Sequence, residues 1–93
     1  MPKFTTRVEL HDENARYADL DAAMEAYGFK RTIEGARGVI YRLPTAEYDY
    51  SSLIATRDNV LERAQEATAT VSSDCSILIT ESKGRTLFNL RKA

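Results

Sequence analysis

The chain contains no tryptophan, one cysteine, one histidine, two prolines and four glycines in 93 residues. Each scarcity excludes something. A lone Cys75 can neither close an internal disulfide nor build a thiolate zinc site. Its place just before Ile77-Leu78-Ile79 suits a buried structural thiol. No apolar run approaches the roughly 18 residues of a membrane span, and no basic start leads into an apolar stretch. Neither a membrane helix nor a signal peptide is expected, and the cytoplasm is the expected location. Glu9, His11, Asp12 and Glu13 are close in sequence, but neighbouring strand residues point to opposite faces, so no metal site is expected. Glu34-Gly-Ala-Arg-Gly38 has too few glycines for a phosphate cradle and leads into a strand, and no cofactor is expected. A net charge of −1 gives no overall pull toward nucleic acid.

What is present is a hydrophobic fraction of 43% and a charged fraction of 29%. Both are ordinary for a single globular domain spanning residues 1–93. The clearest pattern is Lys3-Phe-Thr-Thr-Arg-Val-Glu-Leu-His11. Phe4, Thr6, Val8 and Leu10 alternate with Thr5, Arg7, Glu9 and His11, which gives a strand with one apolar and one polar face.

Helix-start chemistry follows in Asp12 and Asn14. Tyr17, Leu20, Met24 and Tyr27 then recur at helical spacing beside Ala23, so a helix is expected over 14–27, closed by Gly28. Phe29–Ile33 and Val39–Leu43 read as a hairpin across the two glycines of its loop, ended by Pro44. Residues 44–55 are the least regular, and the pattern gives a long loop there. Thr56 caps a second helix with Val60, Leu61, Ala64, Ala67 and Val71 on its apolar stripe. Cys75–Glu81 and Thr86–Arg91 read as fourth and fifth strands joined at Ser82-Lys83-Gly84-Arg85.

The order is β-α-β-β-α-β plus one strand, the ferredoxin-like split βαβ plan in the α+β class. That plan sets the first strand between the third and the fourth in an antiparallel sheet, with both helices on one face. Arg7, Glu9 and His11 then share the open face.

Spaced two residues apart, these three suit phosphodiester cleavage by internal attack of a 2′-hydroxyl. An imidazole titrates near neutrality and can move a proton. A guanidinium stabilises charge on phosphorus oxygens, and a carboxylate can orient the imidazole or act as base. The same three residues also fit an ordinary solvated strand face. Charge is unevenly spread. Asp19, Asp21, Glu25, Asp58, Glu62 and Glu66 lie on the helices, and Lys30, Arg31, Arg37, Arg42, Lys83, Arg85, Arg91 and Lys92 on the strands and hairpins. Lys83, Arg85 and Arg42 are the candidate phosphate contacts, and Tyr48 and Tyr50 either pin their loop to the core or stack on bases.

Three segments carry a family likeness: Phe4-Thr-Thr-Arg-Val-Glu-Leu-His11, Leu43-Pro-Thr-Ala-Glu-Tyr48 and Thr80-Glu-Ser-Lys-Gly-Arg-Thr-Leu-Phe88. With Met24-Glu-Ala-Tyr-Gly-Phe29 they resemble the GhoS-type family, the endoribonuclease antitoxins of type V toxin–antitoxin systems. The resemblance implies a ferredoxin-like fold and cleavage of the single-stranded mRNA of a partner toxin. It assigns no role to individual residues. Two functions are therefore expected to compete: a metal-independent endoribonuclease, and a non-catalytic RNA- or protein-binding accessory module. A homodimer is expected in either case, because a small domain with an open sheet face gains from a two-fold partner.

Overall fold

The strand at the centre of the molecule is β1 (Lys3–Leu10), as its alternation demands. The computed structural model describes residues 1–93. After β1 come α1 (Tyr17–Ala26), β2 (Thr32–Glu34), β3 (Ile40–Arg42), β4 (Glu47–Ser51), α2 (Arg57–Ala69) and β5 (Cys75–Ser82). One antiparallel sheet has the order β4-β1-β5, and β2 and β3 form a second, two-stranded antiparallel sheet. The chain is α+β.

The apolar face of β1 is the floor of the core. Phe4 and Val8 are buried together with Leu20 and Met24 of α1, Val60, Ala64 and Ala67 of α2, Phe29, and Tyr48 of β4. Leu10, Ile77 and Ile79 pack at its margin. Thr6 sits between Phe4 and Val8, fully buried, and its hydroxyl has no hydrogen-bond partner. Such a group costs about 1–3 kcal/mol. Both helices cover this face, which leaves Thr5, Arg7, Glu9 and His11 on the other.

The local signals hold at several joints. Gly28 takes φ +92°. Phe29 and Gly28 donate backwards to the carbonyls of Met24 and Glu25, which closes α1 in a Schellman turn. Thr56 and Asn59 form a reciprocal capping box at the start of α2. The start of α1 differs from expectation. Asp12 Oδ1 accepts from the Asn14 N–H at 2.9 Å in a local turn, and the helix begins only at Tyr17, behind an Arg16 that offers no side-chain cap. Asp12 is spent on this local turn, and Asn14 lies two residues before the Arg16 N-cap position, so neither caps the helix.

The neighbour of β1 also differs. Residues 39–43 were expected beside it, and 44–55 as a loop. Instead β3 pairs with β2 and not with β1, and β4 lies against β1 with Phe4 opposite Tyr50 and Thr6 opposite Tyr48. Acidic residues have low strand propensity, so Glu47 and Asp49 mask the alternation of Ala46, Tyr48 and Tyr50. The fifth strand, expected over 86–91, does not form. Ser82 Oγ bonds to the Gly84 N–H, and the chain turns away to make a single bridge between Lys92 and Tyr41.

Candidate functional site

The open face of β1 has two chemically distinct ends. At the C-terminal end, the register sets Glu9 opposite Ser76 and Arg7 opposite Leu78. His11 is exposed, and its Nε2 lies 2.7 Å from Ser76 Oγ. The same Nε2 is 3.6 Å from Glu9 Oε1. Serine and carboxylate therefore meet one ring nitrogen, which is not the relay of a Ser-His-acid triad, where they take opposite nitrogens. No protein hydrogen bond reaches Nδ1. Arg7 forms an exposed pair with Glu47 at 3.3 Å. The pleat sets it about 7 Å along the strand from Glu9. Arg7, Glu9, Ser76 and Leu78 border a shallow cleft of about 450 Å³.

At the N-terminal end, the face is covered. Arg85 folds back over β1, where its Nε and Nη2 donate to Thr5 Oγ1 and its Nη2 also donates to the Phe4 carbonyl. Nη2 lies 2.8 Å from Asp49 Oδ1. That contact is ionic but poorly aligned, so Oδ1 lacks a true hydrogen bond. Both side chains are largely buried, at 20% and 12% exposure. The largest cleft, about 680 Å³, opens here between Lys3, Glu34, Tyr41, Asp49, Lys83 and Arg85. It is not at the acid–base cluster.

The expected residues thus separate. His11 and Glu9 meet and are accessible, whereas Arg7, also exposed, turns to Glu47 of β4. Lys83 and Arg42 are exposed. Arg85 is committed to Thr5, Phe4 and Asp49, so its charge is already balanced. Tyr48 is fully buried in the core, out of reach of any base. Its hydroxyl donates to Asp21 Oδ1 at 2.6 Å. Burial first, then this hydrogen bond and the charge of Asp21, hold its phenol well above the ordinary 10.0. Tyr50 is half-buried, its ring 4.9 Å from that of Phe29. Both tyrosines of the 44–55 segment therefore anchor β4.

Arg31 is a further commitment. It donates to the carbonyls of Leu43, Pro44 and Glu47. It also lies over the Tyr48 ring, with Nε 3.6 Å from Asp21. Sequence reasoning missed Ser76, Glu47 and Asp49. The alternation of Ile77 and Ile79 places Ser76 on the open face, but only the β1–β5 register shows that it meets His11.

No helix is long and apolar enough to cross a membrane. No group of three or more His, Cys, Asp or Glu side chains is placed to share a metal ion. Comparison with known proteins finds no matching family model, curated protein or solved structure.

Proposed function

We propose that the protein is a GhoS-type endoribonuclease antitoxin, a ferredoxin-like, metal-independent enzyme that cuts the single-stranded mRNA of a partner toxin in the cytoplasm as a homodimer. The fold reading is supported by the bridge between Lys30 and Asp49, which brings the segment after α1 to the outer side of β4. Taking that segment as the second strand gives the split βαβ order around β1.

The observation that carries the activity is the contact of His11 Nε2 with Ser76 and Glu9 on an exposed face. A carboxylate beside Nε2 favours the tautomer with its proton there, which leaves the Nδ1 lone pair as a base. Nδ1 takes the proton of a 2′-hydroxyl, and that oxygen bonds to phosphorus as the P–O5′ bond breaks. The imidazolium or a water returns a proton to the leaving 5′-oxygen. Arg7, held only by an exposed pair, is free to turn to the phosphorus oxygens. The products are a 2′,3′-cyclic phosphate and a 5′-hydroxyl.

Purified protein incubated with mixed transcripts should cut them equally with and without EDTA and leave cyclic phosphate ends. A second reading is favoured by the partners these residues already have: Glu47 for Arg7 and Ser76 for His11. It makes the chain a non-catalytic RNA- or protein-binding accessory module. Transcripts that are bound but stay intact would decide for it.

A further inference from the structure

The outer edge of β5 has no partner strand, since the sheet ends there. The chain after Ser82 would cover this edge if it formed a hairpin. Instead it crosses the open face to Thr5 and Tyr41. Soluble proteins blunt such edges with charge, proline or bulges. From Cys75 to Thr80 this edge carries none of these.

Backbone directions say which groups are free. The Val8 N–H points to the carbonyl of Ala46, and the His11 N–H to that of Asp74. Even-numbered residues of β1 therefore serve β4, and odd-numbered ones serve β5. Through the register Glu9–Ser76, Arg7–Leu78 and Thr5–Thr80, the even-numbered residues of β5 are used by β1. Cys75, Ile77, Ile79 and Glu81 direct their N–H and C=O groups outward.

We infer that this edge pairs antiparallel with β5 of a second copy of the chain, about a two-fold axis at Leu78. Facing residues of an antiparallel pair share a face, so a two-fold register must join residues whose numbers sum to an even value. Centred on Leu78, Ile77 meets Ile79 of the other copy, Ser76 meets Thr80, and Cys75 meets Glu81. All four outward residues find partners, for about eight interchain backbone hydrogen bonds. Leu78, 64% exposed, meets itself in the closer, non-hydrogen-bonded kind of pair. A shift of the centre to Ile79 would set Ile77 against Glu81, and a shift to Ile77 would leave Glu81 without a partner on β5. The edge is thus self-complementary in one register, which selects a second copy over an unrelated strand.

The groove beside it, lined by Arg57, Asp58, Leu61, Ile77 and Ile79, adds one cation and one anion. A two-fold copy meets that groove with the opposite charges available. The inference gives the proposed homodimer its surface, and its test uses no RNA, so it stands or falls apart from cleavage.

The test uses the full chain. Wild type should sediment as a dimer at tens of micromolar, and Leu78→Lys, which sets two cations face to face without touching the core, as a monomer that still melts cooperatively, at a midpoint that no longer depends on protein concentration. In a Cys75→Ser background, Leu78→Cys should form a disulfide-linked dimer on mild oxidation, because its own copy lies opposite. Ser76→Cys and Thr80→Cys should cross-link when mixed and not when alone. A monomeric wild type overturns the inference. So does a dimer in which Leu78→Cys stays unlinked, since that dimer uses another surface.

Discussion

The two ends of the open face of β1 carry similar residue types and end in opposite states. At Thr5, a guanidinium and a carboxylate from distant parts of the chain close over the strand and balance each other in a nearly dry contact. At His11, a base, an acid and a hydroxyl stay in water, each loosely held. Charge next to a strand is therefore no guide to its use. The cover supplied by the 82–93 segment turns one end into structure, and its absence leaves the other end available for chemistry.

That contrast can be broken at four places. The largest effect belongs at the open end: His11→Ala should lower single-turnover cleavage roughly 10²–10⁴-fold. The melting curve should not move, because an exposed side chain adds little to the core. Full activity would remove His11 from the mechanism. Next is the covered end. Arg85→Ala strands Asp49 in a poorly hydrated place and should cost about 3 kcal/mol by denaturant titration. A change within a few tenths would mean that the pair is no more than surface decoration.

A smaller effect concerns Tyr48 on the helix side. Its raised value belongs to the folded state, so the stabilisation is complete below the ordinary 10.0 of the unfolded chain and is lost as pH climbs above it. Wild type should weaken progressively in alkali. Tyr48→Phe should flatten that slope while costing about 1 kcal/mol at neutral pH. The smallest effect sharpens the division of the basic turn. Lys83→Ala should reduce the salt slope of RNA binding by about one and leave stability alone. An unchanged slope would take this turn off the RNA path.

What could be foreseen follows from the range over which each signal acts. The two faces of β1, the Gly28 stop and the Thr56 cap are local, and each lies in a few consecutive residues. The place of β4 was hidden because Glu47 and Asp49 look like loop residues until their partners Arg7 and Arg85 are known. Asp49 and Arg85 are far apart in the chain, and nothing in Ser82-Lys83-Gly84-Arg85 distinguishes the cation that turns inward from the one that stays out. His11, Glu9 and Arg7 could be named from alternation alone. Ser76 needed a register that only pairing supplies.

Arg31 has a consequence for how the molecule opens. One guanidinium holds the carbonyls of Leu43, Pro44 and Glu47, lies over the Tyr48 ring and stands near Asp21 of α1. The short β2–β3 hairpin has too little buried surface to persist alone. Tied through Arg31, it cannot detach without also loosening the turn into β4 and the contact to α1. Hairpin, turn, β4 and α1 therefore form one cooperative unit for amide hydrogen exchange.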